Sequence, residues 1–487
     1  MFGTSASSTR VPEGVPHVRR GGWHDGKSCS SSYSYSSSAV PTADSEYDDE
    51  YEDDFRRRES MSEKLAIHGG PKAVTIAAPE QWQRPVEEEK KAVVELVEQG
   101  FLSGSGTGMP KEFEDEFARF VGAKFCLTVS QGSSGLMSAL YAVGVGPGDE
   151  VIVPTAGYLG SYCGVLHLGA RPVFCDIDPK TLLTDPKDAE RRITPRTRAI
   201  LPIHLCGRVA DMDAFLDIGQ RRGVAIVEDA AHAHGSDWDG KRIGGFGDIQ
   251  GFSLQGIDLG GKPVSGGEGG IVTTNNREYY ERQLIYCHLH REGIVKELTN
   301  PLYKELDSEV LGLKWRAHPL ALALARVAQK SLPYRNGRRI ENRIKLFDAI
   351  RRLPGIQPVE PYAKSRADGL YGGLKLIYKP EELGGLPAAK FVAAMKAEGA
   401  PVSGPGIGHL EHLRTIFTKG FDLWGRGRGP LGKDFKPYKR GDFPVAEGLA
   451  QRVLTIPSYI EPKDGFLDQF AEAFRKVTAN YGALLGA

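Results

Sequence analysis

Between Phe125 and Asn275 the chain repeats one pattern: a short apolar run, a turn rich in glycine or serine, then a stretch with the apolar spacing of a helix. The runs are FCLTV (125–129), VIVP (151–154), PVFCDI (172–177), AILPIH (199–204), VAIVE (224–228) and IVTTN (271–275). Segments such as LMSALYAVG, YCGVLHLG and DMDAFLDIGQRRG lie between them. Strands that are apolar on both faces need cover on both faces. Their alternation with helices predicts an α/β fold with a mainly parallel sheet. Ligands of such sheets collect where the strands end at their carboxyl side. Gly132, Ser133, Tyr158, His204, Asp229 and Ser253 all fall at or just after predicted strand ends.

The stretch from Val224 to Gly270 narrows the chemistry. Its first run delivers Glu228 and Asp229, a second run over 250–254 delivers Ser253, and a glycine-rich loop follows with a single lysine, Lys262. An acidic group at a strand end, a hydroxyl and a lysine on glycine-rich turns suit pyridoxal 5'-phosphate. The acid pairs with the protonated pyridine nitrogen, the hydroxyl holds phosphate, and the lysine forms the Schiff base. Read alone, each piece has a plainer meaning. EDAAHAHG is also what a strand followed by a capped helix looks like, a lysine on a glycine-rich loop is usually a solvated charge, and SQGSSG is a weak phosphate signal outside a strand–turn–helix setting. His204, His232 and His234 lack the spacing of a metal site, so no metal is expected.

Composition excludes some classes. The 62 basic and 62 acidic residues balance, which removes any net-charge argument for nucleic acid. No apolar run is long enough to span a bilayer, so no membrane partner is expected. The six cysteines are scattered without a CxxC pair and several sit in apolar runs. That usage fits buried thiols in a reducing compartment, and a cytoplasmic location is expected. Residues 1–60 differ from the rest, with SCSSSYSYSSSAV followed by the acidic DSEYDDEYEDDF; neither can bury a core, and disorder is expected. The basic, acid-poor beginning faintly suggests a transit peptide, but the acidic run argues against one. Ordinary globular sequence begins at Met61, which reads as an alternative start.

Val86 to Gln99 has an apolar stripe after Pro85 and stops at Gly100, which predicts a helix; KEFEDEFARFVG predicts a second with Phe113, Phe117 and Phe120 in line. SQGSSG reads as a turn before its helix. REYYERQLIYCHLHREG reads as one helix, and the region from LGLKWRAHP to RRLPG as a long helical stretch interrupted by Pro319 and Pro333. The remainder is a looser α+β pattern, in which 416–443, rich in Gly, Lys and Arg, reads as an exposed loop near a substrate or partner. The expected division is therefore an N-terminal extension (1–60), a large cofactor-binding domain (61–330) and a small C-terminal domain (331–487).

Ordered pieces of the chain resemble the PLP-dependent sugar aminotransferases of the DegT/DnrJ/EryC1/StrS family. They are LAIHGGPKAV, EFEDEFARFVGAKF, SQGSSGLMSAL, GDEVIVPTAGY, GARPVFCDID, PIHLCGRVADMD, VEDAAHAHG, FSLQ, GKPVSGGEGG, LGLKWRAHPLALALA and VLTIPS, spread from about Leu65 to Pro457. The first piece and the C-terminal part look most like the branch that aminates scyllo-inosose and 2-deoxy-scyllo-inosose with glutamine. The resemblance implies a fold-type I PLP-dependent transferase that acts as a homodimer. It implies an amino group moved from glutamine or glutamate to a keto-cyclitol or keto-sugar (nucleotide). By position it makes Lys262 the Schiff-base lysine and proton carrier, Asp229 the partner of the pyridinium nitrogen, and His232 the neighbour of the cofactor's 3-hydroxyl. Tyr158 becomes the stacking aromatic, Ser133, Ser134 and Ser253 phosphate ligands, and Lys314 a contact to the neighbouring subunit's cofactor phosphate.

Two departures stand out. Lys262 lies ten positions after Phe252, about four more than the family usually has, and Lys314 stands where the family commonly has Asn. Two alternatives stay open on the sequence. One is a family member that keeps the lysine without net transamination, like aminohydroxybenzoate synthase. The other is a non-catalytic binding or regulatory member, for which the insertion before Lys262 speaks.

Overall fold

A computed structural model describes residues 64–257, 261–306, 312–432 and 434–486. The predicted disorder of residues 1–60 lies outside these. The described residues belong to one compact unit that spans Met61–Ala487.

Seven strands form the main sheet: β1 (Phe125–Val129), β2 (Glu150–Pro154), β3 (Arg171–Cys175), β4 (Thr197–Ile200), β5 (Ala225–Asp229), β6 (Ile249–Ser253) and β7 (Gly270–Thr274). Their order is β1-β7-β6-β5-β4-β2-β3. All neighbouring pairs from β6 to β3 are parallel, while β7 is antiparallel to both β1 and β6. Helix-bearing crossovers link β2 to β3, β3 to β4 and β4 to β5, while β5 and β6 are joined by a connection that carries only two short strands, Asp237–Trp238 and Lys241–Arg242. The link from β6 to β7 has no named helix among its described residues and returns on itself, which is what an antiparallel neighbour allows.

The strands are buried on both sides, as their unbroken apolar runs require. Ile152, Ile200, Ile226, Phe252 and Ile271 face one core; Val151, Val153, Ala199, Val227 and Val272 face the other. Helices α1 (Val86–Glu98), α2 (Gly108–Val121), α3 (Gly132–Ala142), α4 (Leu159–His167), α5 (Met212–Arg222), α6 (Arg277–Cys287) and α7 (Pro319–Lys330) accompany this sheet in the chain.

A second core surrounds an antiparallel sheet of β8 (Ile356–Pro358), β9 (Leu374–Tyr378) and β10 (Val453–Ile456). Helices α9 (Ala388–Ala397) and α10 (Phe466–Ala479) pack there, α10 through Phe466, Phe470 and Phe474. Leu65 and Val74, far away in sequence, join this core. Helix α8 (Leu332–Ile350) ties both parts together: Leu332 packs in the main core, and Leu346, Phe347 and Ile350 in the second.

Four local expectations change. The serine-rich SQGSSG is not a free turn: α3 begins at Gly132, because the Ser134 hydroxyl turns back onto the backbone of Gln131 and closes the helix start. Pro319 and Pro333 open α7 and α8 instead of interrupting a helix, since the first turn needs no N–H donor there. The helix expected over 277–293 ends at Cys287, and His288 bridges to Lys314 instead. The segment 416–443 is not simply exposed. Phe417, Leu431 and Phe443 are buried around Phe174, while Phe421, Leu423 and Trp424 are exposed. Aromatic anchors spaced among Gly, Lys and Arg give no periodicity to read.

Candidate active site

The carboxyl edge of β5 and β6, the start of α3 and the loop before β9 enclose a cavity of about 750 Å³. Seven residues singled out in the sequence line it: Gly132, Ser133, Tyr158, Asp229, His232, Ser253 and Lys262. They come from four places in the main sheet's connections, so the fold assembles what the sequence only spaces.

Asp229 is the last residue of β5 and is buried. Its carboxylate accepts the Ser161 hydroxyl of α4 at 2.6 Å and the Ala231 N–H at 3.0 Å, so both oxygens are held. His232 follows on the next turn. Its Nδ1 accepts the N–H of Cys206 at 3.2 Å, so the proton belongs on Nε2. Burial, with the nearby charge of Lys262, pushes its pKa well down and keeps the ring neutral.

Lys262 follows the insertion. Its N–H donates to the Gln255 carbonyl at 3.0 Å, and Gly256 and Gly267 exchange backbone hydrogen bonds at 2.8 and 2.9 Å. The extra residues are thus a detour that closes on itself, and the lysine resumes beside Gln255. A Cβ on Gly261 would stand 2.5 Å from the nitrogen of Ile257, which explains a glycine at the closing corner. Of the inserted residues, 258–260 lie outside those described. The Lys262 ammonium lies 3.8 Å from the centre of the Tyr371 ring, and that ring is 4.5 Å from His232. Burial pushes the lysine's pKa down to about 8, against the opposing pull of Asp229 and Cys206. Near neutrality a useful fraction of the amine is therefore unprotonated and nucleophilic.

The other end of the cavity is built for close approach. Ser133 is in the first turn of α3, and Ser253 ends β6. A Cβ on Gly132 would stand 2.7 Å from the Ser253 Cβ, and one on Gly160 2.6 Å from the Ser133 hydroxyl. Tyr158 caps α4 with 69 % of its surface exposed.

One residue expected in the cavity is elsewhere, and a second was expected only at the neighbouring subunit's site. The Ser134 hydroxyl is taken by Gln131, donating to its carbonyl at 2.8 Å. Lys314 is exposed beside His288 and does not line this cavity. His204 is a structural group: Nδ1 accepts the Ala210 N–H at 3.1 Å and Nε2 donates to the buried Glu228 at 3.0 Å. His234 packs against Phe117 and Phe252, and burial pushes its pKa down to about 3. Among the described residues no cluster of three or more His, Cys, Asp or Glu could hold a metal, and no helix is long and apolar enough to cross a membrane. The reading of the sequence missed Ser161, Tyr371 and Lys375. Only the alternation of KLIY marks the strand that bears Lys375, and nothing local points Tyr371 at Lys262.

With this geometry in place, residues 83–402 match the model of the DegT/DnrJ/EryC1/StrS aminotransferase family. The chain belongs to that family. The spore coat polysaccharide biosynthesis protein SpsC of Bacillus subtilis is 33 % identical over 80 % of this chain and 94 % of its own length. The L-glutamine:2-deoxy-scyllo-inosose aminotransferase of Streptomyces lividus is 32 % identical over 88 % and 100 %. The crystal structure of DesV from S. venezuelae, in complex with a ketimine intermediate, superposes with a TM-score of 0.67 at 26 % identity and covers 81 % of this chain and 95 % of that one. The fold is accordingly that of fold-type I PLP-dependent aminotransferases, and the family is one of sugar and cyclitol aminotransferases.

The family's cofactor is pyridoxal 5'-phosphate, and this aminotransferase has residues that fit it. The start of α3 offers backbone N–H groups and a positive dipole end beside two hydroxyls, a setting for phosphate. The Gly132 and Gly160 approaches leave space no Cβ could share. A carboxylate fixed by two donors and a lysine of lowered pKa complete the set.

Proposed function

We propose that this enzyme moves an amino group from glutamine or glutamate to the keto group of a cyclitol or a sugar (nucleotide), acting as a homodimer in the cytoplasm. The observation that carries this reading is one cavity that gathers an amine of lowered pKa, a fixed carboxylate and a helix start flanked by two serines. Relatives named for glutamine-dependent amination of 2-deoxy-scyllo-inosose support a cyclitol acceptor, and the buried free Cys126, Cys175, Cys206 and Cys287 support a reducing compartment. In this reading the part through residue 330 binds the cofactor and the part after it closes the site.

When bound, pyridoxal phosphate supplies an aldehyde carbon for the amine and a ring that draws electrons from the donor's Cα. Ser133, Ser253 and the backbone at the start of α3 would hold its phosphate, and Tyr158, Asp229 and His232 would hold its ring: the aromatic by stacking, the carboxylate as partner of the ring nitrogen, and the imidazole as donor to the ring oxygen. The two donors on Asp229 hold its carboxylate in one orientation. Lys262 would be the amine that bonds the cofactor's aldehyde, and as a free amine of lowered pKa it would be the group that accepts and returns a proton. Ser134 closes the helix cap, and Lys314 would reach the cofactor phosphate of the neighbouring subunit.

Borohydride treatment of the PLP-loaded protein, followed by peptide mapping, is expected to mark Lys262. A screen of scyllo-inosose, 2-deoxy-scyllo-inosose and keto-sugar nucleotides, with glutamine and glutamate as donors, is expected to yield an aminated product by mass. Label on another lysine, or no product from any pairing, would overturn the assignment.

A further inference from the structure

The cavity holds a second cation that the proposed mechanism leaves unused. Lys375 is the second residue of β9. Leu374, Leu376 and Tyr378 point into the C-terminal core, so the two-residue period of a strand turns Lys375 and Ile377 the other way. Ile377 packs with Ala156 and Ile407, and Lys375 lines the cavity beside Lys262, Asp229, His232 and Tyr371. Its Nζ donates to the Gly372 carbonyl and to the Thr455 hydroxyl, both at 2.9 Å, and Thr455 is its direct partner across β9 and β10. An ammonium has three N–H donors. Two are spent on holding the group in place, which aims the third.

Among the described residues, the charged ones that line the cavity are Asp229, Lys262, Glu268 and Lys375, with no arginine. An amino-acid donor brings an α-carboxylate into this partly desolvated space, where it needs a charge-assisted partner. Lys262 must stay available as a neutral amine. Resting on the function proposed above, we infer that Lys375 binds the α-carboxylate of the amino donor. A cyclitol acceptor carries no anion, so the same lysine separates the two half-reactions: it tightens donor binding and contributes nothing to the acceptor.

The test uses PLP-loaded enzyme and the variants Lys375→Met, Lys375→Gln and Lys375→Arg. The absorbance change on mixing with glutamine or glutamate is followed against donor concentration, and the second half-reaction against acceptor concentration. Binding of α-methylglutamate, a donor analogue with no Cα hydrogen, is titrated separately. Lys375→Met is expected to raise the half-saturating donor concentration about 10- to 100-fold and weaken the analogue in parallel. The limiting rate and the acceptor's half-saturation should stay within a few-fold, and Lys375→Arg should recover much of the donor affinity. Lys375→Gln keeps polar contacts to Gly372 and Thr455 without the charge, and carries the test should the methionine variant not fold. A charge-free variant that folds and saturates at the wild-type donor concentration overturns the inference, as does an equal rise for donor and acceptor. Wild-type enzyme that reacts with neither donor would instead overturn the function on which it rests.

Discussion

Two walls of the active site come from different kinds of structure. One is the carboxyl edge of β5 and β6 with the start of α3, where Asp229 and Ser253 end their strands and Ser133 sits in the first turn of a helix. The other is the three-stranded sheet and its preceding loop, which bring Tyr371 and Lys375. On the first wall, function follows from local order: a strand that must be buried ends at the sheet's edge, and the next residue meets the ligand. On the second, a residue reaches the cavity only because a separate core docks there. The first wall should therefore carry bond-making and proton transfer, and the second should tune what the first can do.

The largest effect expected is on the first wall. Lys262→Ala should lower amination by about 10⁴-fold, since both the bond to the aldehyde and the proton carrier are lost. Single-turnover measurements with the pyridoxamine form check it. Asp229→Ala should cost about 10²–10³-fold, with altered cofactor absorbance, because the ring loses the group that stabilises its protonated nitrogen. A loss as small as that from removing Tyr371 would break the contrast between the walls.

His204→Ala should leave the cavity's chemistry in place but lower stability by about 2–3 kcal/mol, because the buried Glu228 loses a donor. Denaturant melts of cofactor-free protein measure this. A variant of normal stability but without activity would move His204 from the scaffold into the site.

The pH dependence separates the walls more finely. Lys262 titrates at about 8, below its ordinary value, so its reactive neutral form grows as pH rises and levels off above that point. Uptake of pyridoxal phosphate by the cofactor-free protein should thus speed up about fivefold from pH 7 to 8 and about twofold more above it. The smallest effect belongs to Tyr371→Leu. Opening the ring's place to water lessens the desolvation of Lys262, so the midpoint should move up, by about one pH unit at most. A downward move would mean that the ring favours the charged amine more than it keeps water away.

Legibility followed the same division. Lys262, Asp229 and Ser253 were readable because glycine-rich turns and strand ends are written in neighbouring residues. The insertion was readable as a count, but the return of Lys262 to Gln255 was not, since that depends on a hydrogen bond across a closed detour. Ser134 shows the opposite error: its place beside Ser133 suggested a ligand, while the helix start had already claimed its hydroxyl. His204 sat at a strand end like the site residues, yet its ring is spent on Glu228 and Ala210.

The amino-acid order by itself determined the alternating strands and helices, the parallel sheet they build, and the lysine, acid and serines at its edge. Those features rest on interactions between residues close in the chain. The tertiary structure alone decided that Tyr371 covers Lys262, that Lys375 turns into the same cavity, and that Leu65 completes a C-terminal core. Such meetings depend on which buried faces fit one another across the whole chain, and spacing along the sequence carries no trace of that fit.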